Sequence, residues 1–335
     1  MVRPYHRGAN PAGIGPLRYA RDVRYGDESD PRPLGREELD ALGQASPARS
    51  ALHVSAEWLG VVGAAWAAEA VGPWGLLLSV PWIGARQHAL AALAHEGAHG
   101  RLFPGRWNAA LAEVLCAWPL LMSTSAYRQV HLQHHAHLGT ERDPDWVRAR
   151  PDRWTPRRWR EEGRVPSGAR RIAMLLGLER RNAGLAAMFT GSRPDPWRVL
   201  YMVALAALVT AAGGWRLVGL HWLLPLLVAF LPAMRLRGIA EHWALRGGDE
   251  RGAARTLLLS APARWLLLPK NIHYHLEHHL YPSVPFHALP RLHARLMEDP
   301  AHRAAAHVTR GLPALAREVW TGTPSAVSEA PPARR

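Results

Sequence analysis

The sequence predicts an all-α integral membrane protein: four transmembrane helices in two hairpins, with a cytoplasmic helical cap that carries most of the histidines. Three observations predict it. Four apolar runs come as two pairs, at about 54–70 with 74–93 and 197–215 with 217–234, each near the roughly 20 residues needed to cross a bilayer core. Basic residues collect outside the short turns of those pairs. Three histidine clusters follow the returning arms.

The 335 residues are 48% hydrophobic and 20% charged, rich enough in apolar side chains for a large core or a membrane. Net charge is +14, carried by arginine, since Lys270 is the sole lysine. The arginines lie between apolar runs, so they read as cytoplasmic loops beside a bilayer and not as a nucleic-acid surface. Cys116 stands alone, which excludes an internal disulfide and suits a reducing compartment.

Residues 1–50 are polar and rich in Arg, Pro and Gly, a partly disordered cytoplasmic lead-in with no signal-peptide core. Residues 51–293 form a membrane-bound, histidine-rich domain, and 294–335 a C-terminal helix with a disordered tail. In the first apolar pair, Gly72-Pro73 breaks the chain between its two arms. Arg86, Gln87 and His88 then require the second arm to face protein in its last turns. Trp107 to Met122 is too short to span and reads as a short helix that dips into the interface or packs on the bundle, and Arg142 to Pro196 as an extramembrane loop domain. Gly213 to Arg216 joins the second pair, and Thr256 to Leu268 is again interfacial. By the positive-inside tendency, both termini and all the histidine clusters lie on the cytoplasmic side, with the cell membrane as the location.

The clusters read His95-x-x-x-His99, His131-x-x-His134-His135 and His275-x-x-His278-His279, with His242 between the last two. On helices, residues three and four apart share a face, so the rings of one cluster point the same way. Neutral imidazole is the commonest transition-metal ligand. Nine exceed the needs of one ion and predict two, iron before copper, nickel or manganese. Glu96, Asp143, Asp145, Glu241 and Glu277 sit beside these histidines, where a carboxylate orients a metal-bound ring by accepting its distal N–H.

His95-Glu-Gly-Ala-His99-Gly, His131-Leu-Gln-His134-His135 and His275-Leu-Glu-His278-His279-Leu-Tyr-Pro resemble the three histidine boxes of the membrane-bound fatty acid desaturase superfamily. The resemblance runs from about Val54 to His293. It implies a non-haem di-iron centre that uses O2 and two electrons from a separate ferredoxin-like or cytochrome b5-like donor to desaturate a fatty acyl chain, free in a lipid or on a thioester or carrier. His242 matches the solitary histidine of that superfamily. Gly238 departs from it, standing where some members have an asparagine that supports one iron through water, and His137 and His273 match no family role.

Two other readings stand beside this one. A hydroxylase or carotenoid ketolase would share the scaffold, and the first box also resembles that of carotenoid ketolases. A non-catalytic haem or metal membrane protein would carry its ligands deep within the spans, whereas these boxes lie beyond the span ends.

Overall fold

Ser46 and Pro47 start the first long helix: the Ser46 side chain accepts from the Arg49 amide, and Pro47 is pre-set for the first helical position. In the computed structural model, which describes residues 34–140, 142–144, 195–245 and 250–321, this helix, α1, runs Pro47–Val71. It stops at Gly72, whose φ of 84° suits glycine, and Pro73. The chain reverses through Pro73–Gly75 into α2, Leu76–Ala98. α1 starts before the apolar stretch expected at 54–70, and α2 runs on past the end of the one expected at 74–93, because capping and packing as well as apolarity set these ends. α2 therefore carries the first histidine cluster within its own last turn.

Next come α3, Trp107–Ala112, and α4, Thr124–His137. The helical stretch Trp107–Leu120 meets α4 at 98°. The break falls at Leu121, a non-glycine residue at φ 62°. The second pair consists of α5, Pro196–Ala211, and α6, Trp215–His242. Among the described residues α6 is the one helix long and apolar enough to cross a membrane, with 28 residues and a mean hydropathy of 2.0 in its most apolar stretch. Two π turns, Gly219–Leu223 and Leu226–Phe230, flank Pro225, which has no N–H to offer the preceding turn. The Trp222 carbonyl in the first of them accepts from Gln87 Nε2 at 2.9 Å, which explains one polar residue inside the second apolar run.

Close helix contacts depend on two glycines. A Cβ at Gly84 would lie 2.3 Å from Ala229 Cβ on α6, and one at Gly97 would lie 2.3 Å from Ala112 Cβ on α3. Charges in the apolar runs are paired: buried Glu57 meets buried Arg86 at 3.0 Å and half-buried Lys270 at 2.6 Å. The Arg86 guanidinium also lies over the rings of Trp82 and Trp265.

The expectation of an all-helical chain needs one correction. Strand β1, Thr256–Leu258, pairs in parallel with β2, Val308–Arg310, in the register Thr256↔Val308. β-Branched Thr256, Val308 and Thr309 favour it, and the pairing partner lies some fifty residues away, which local periodicity does not reveal. Between the strands lie α7, Ala261–Leu267, α8, His275–Leu280, and α9, Leu289–Leu296. After β2 comes α10, Gly311–Thr321. Leu257 N donates to His273 O at 2.9 Å, so the strand pair is tied to the segment that enters α8. The lead-in through residue 33, most of the 142–196 loop, Asp145 and the tail beyond 321 lie outside the described residues.

Candidate metal centre

Each histidine cluster is delivered by a helix end. His95 lies in the last turn of α2, with His99 as its C-cap. Box two rides on α4, whose start is capped twice. Ser123 accepts from the Ala126 amide, and the buried Glu113 carboxylate accepts from the Thr124 and Ser125 amides at 3.0 and 2.8 Å across the 98° break. His242 is the final residue of α6, and box three occupies α8.

The nine rings converge in two groups. His95, His99, His131, His135 and His278 form one, and His134, His242, His275 and His279 the other; within each group one ligand atom per residue lies within 4.8 Å of the rest. The boxes do not each serve one group, as a single shared face would require. In box two the i, i+4 pair His131 and His135 joins the five-membered group and His134 the four-membered one. Box three does the reverse, sending His275 and His279 to the four and His278 to the five. A helix turns about 100° per residue, so neighbours such as His278 and His279 diverge while residues four apart stay aligned. The two boxes thus straddle both groups, and the rings of His135 and His279 stack across them at 4.2 Å.

The ring nitrogens are arranged for cations. His131 Nε2 lies 2.8 Å from His99 Nε2 and 3.0 Å from His135 Nε2. His275 Nε2 likewise lies 2.9 Å from His242 Nε2 and 3.0 Å from His279 Nε2. One proton on the central nitrogen satisfies one such contact, and the other would set lone pair against lone pair. The His242 case is sharper still. Its Nδ1 donates to the Ala253 carbonyl at 2.9 Å, so its Nε2 presents a lone pair when the ring is neutral. His95 Nε2 and His278 Nε2 are buried with no hydrogen-bond partner. Burial, reinforced by neighbouring imidazoles, holds His131, His135, His275, His278 and His279 well below the ordinary imidazole range, so they are neutral near pH 7. A cation in each group resolves every one of these contacts, and an all-imidazole donor set fits a transition metal.

The surrounding carboxylates take different tasks. Asp143 Oδ1 accepts from His134 Nδ1 at 2.8 Å while its other oxygen accepts from the Gly139 amide, which fixes that ring. Glu241 lies 3.3 Å from His275 Nδ1 and is itself held by Arg237 Nε at 2.6 Å. Glu96 stands 3.7 Å from His95 Nδ1, beyond hydrogen-bond range, and accepts instead from the Phe286 amide, joining α2 to the chain after box three. Glu277 faces away from both groups, towards Thr256 and His293. Asp145 lies outside the described residues.

Three contributors escaped the sequence reading. Tyr127 OH meets His131 Nδ1 at 3.0 Å, and the i, i+4 spacing on α4 was the available signal. Arg237 stands four before Glu241 in the same way. The Ala253 carbonyl left no signal, being a backbone group brought from eleven residues away. Of the unassigned histidines, His273 is buried with Nδ1 unpartnered, and His137 is half-buried; neither joins a group. At Gly238 a Cβ would meet nothing within 4 Å.

Residues 48–311 match the fatty acid desaturase family. Among individual proteins, the chain is 28% identical over 280 residues to dihydrorhizobitoxine desaturase of Bradyrhizobium elkanii, covering 78% of this chain and 79% of that protein. It is 29% identical to a beta-carotene ketolase of Paracoccus sp., covering 72% and 85%. With the sphingolipid delta(4)-desaturase/C4-monooxygenase of Homo sapiens it shares 28% identity, covering 70% and 67%.

Proposed function

The chain belongs to the fatty acid desaturase family, a family of oxidoreductases, and on that premise we propose that it is an O2-dependent desaturase that introduces a double bond into a fatty acyl chain presented as a lipid, thioester or carrier-bound group. The observation that carries the reading is the convergence of nine imidazoles, eight buried and His242 half-buried, into groups of five and four, with Nε2 atoms at 2.8–3.0 Å in His99, His131 and His135 and in His242, His275 and His279. In this reading His95, His99, His131, His135 and His278 hold one iron, and His134, His242, His275 and His279 the other. When bound, the two irons would supply the oxidising power that an unactivated C–H bond demands and that no acid or base side chain can provide.

The protein's own part is to hold and shield. Asp143, the Ala253 carbonyl and Tyr127 fix the rings of His134, His242 and His131, while Glu241 neutralises Arg237 and faces His275. Glu96 and Glu277 anchor the segments flanking box three, and Asp145 is the remaining candidate for orienting box two. Burial of eight of the nine rings, with His242 half-buried, keeps bulk water from the centre.

The same reading places α1, α2, α5 and α6 in the bilayer as four spans in two hairpins, with the histidine groups and both termini on the cytoplasmic side of the cell membrane. What supports it is exposed apolar surface. Leu59, Trp66, Trp74, Leu78, Trp197 and Leu208 are each at least two-thirds exposed, an arrangement that water would penalise and lipid would not. Residues 51–293 are the catalytic part in this account, between the 1–50 lead-in and the 294–335 tail. The basic cytoplasmic face suits an acidic ferredoxin-like or cytochrome b5-like electron donor.

A hydroxylase or carotenoid ketolase is the second reading, favoured by the match over 85% of a beta-carotene ketolase. Lipid and metabolite profiling under 18O2, comparing a host expressing the chain with one expressing His278→Ala, decides between them. A new double bond without label, present only with the unaltered chain, supports the desaturase. Retained 18O supports the sibling chemistry, and identical profiles overturn both.

A further inference from the structure

Away from the two histidine groups, α1 and α2 leave an open crease of about 520 Å³ on the side of their turn, within the range of small-molecule sites. Its floor is made of small residues, among them Gly60, Ala64, Ala68 and Gly75, and its rim of Leu59, Val71, Trp74, Leu78 and Trp82. One polar side chain lines it. Ser79 is 5% exposed, and its Oγ has no hydrogen-bond partner. A buried hydroxyl without a partner is costly, and a ligand oxygen would relieve it. Sixteen residues, roughly 24 Å of helix, separate Ser79 from His95, so the crease belongs to neither metal group.

We infer that this crease binds a membrane phospholipid, with one acyl chain lying along α1 and the ester carbonyl of that chain accepting a hydrogen bond from Ser79. Three features select this occupant. Apart from Ser79 and the indoles of Trp74 and Trp82, the latter with its N–H taken up by the Gly60 carbonyl, the lining is hydrocarbon. Its long axis, from Leu59 to Val71, extends roughly 18 Å along the helix, and it is continuous with the exposed apolar surface of α1 and α2. Ser79 lies in the first turn of α2, one turn from the hairpin bend, which is the depth of the ester groups if the hairpin spans the bilayer. The inference therefore rests on the membrane reading above.

The test uses the full chain in phosphatidylcholine vesicles containing a trace of phosphatidylcholine with a photoactivatable acyl chain, followed by peptide mapping. Helix α5 is the internal control, since it is more apolar than α1 and α2 and has no buried residue. At least tenfold more label on residues 59–82 than on 196–211 is expected. Gly63→Leu, at an open position on the crease, and Ser79→Ala should each reduce that label several-fold while metal content stays unchanged. Equal labelling of the two stretches, or cross-links from the crease to a second copy of the chain, overturns the inference. Labelling of neither stretch overturns the membrane reading itself. A measurement on the unaltered protein does not depend on the variants' folding. Mass spectrometry of the detergent-purified chain should find at least one retained phospholipid per chain, and none would contradict the site.

Discussion

The two ends of α2 live in opposite environments. Near the hairpin turn Leu77 and Leu78 are 68% and 80% exposed, whereas every residue from Ile83 to Ala98 is buried, Arg86, Gln87, His88, His95 and Glu96 included. One end shows hydrocarbon to its surroundings, and the other encloses polar groups. That contrast teaches where each cost is met. At the histidine end Arg86 is met by an ion pair, Gln87 by a carbonyl and the box histidines, in this account, by metal ions, while in the same account the exposed apolar groups at the turn face lipid.

The largest expected effect comes from the ligands. Replacing one ring of each group, His278→Ala and His275→Ala in turn, is expected to lower activity at least 100-fold and to reduce bound metal, read by product assay and metal analysis. Next is the buried charge triad. Glu57→Ala leaves Arg86 and Lys270 without a counter-charge, and a loss of about 3–5 kcal/mol is expected in a denaturation experiment. Gly97→Val drives a side chain into Ala112 and should cost about 1–3 kcal/mol, whereas Gly63→Ala at the turn end, where a Cβ meets nothing within 4 Å, should leave the melting temperature nearly unchanged. Equal effects from those two would erase the contrast between the ends. Smaller again is Asp143→Asn, which keeps the fold but frees the His134 ring, with metal affinity expected to fall about 10–100-fold in a chelator competition.

Much of this was legible in the chain itself. The nine histidines and their helical setting follow from spacing, and the expectation of two ions, which the two groups would accommodate, follows from the count. The partition into five and four did not, because it depends on how α4 and α8 are rotated against each other, a long-range packing fact. Gly97 shows the same limit: its position in box one is visible, but its closeness to Ala112 appears only when α2 and α3 pack. The β1–β2 pair was hidden for a similar reason, since three-residue strands have no readable period. Charges inside apolar runs were legible in part: Arg86 reads as facing protein, as it does, but its partner Glu57 appears only across the hairpin.

The central claim is that the two imidazole groups each hold an iron. Metal analysis of the purified full chain, with its optical spectrum, tests it most directly. The account predicts about two irons per chain, no haem band, and fewer irons in His278→Ala. A haem absorption band, an iron-free preparation that is nevertheless active, or iron content unaffected by His278→Ala would contradict it.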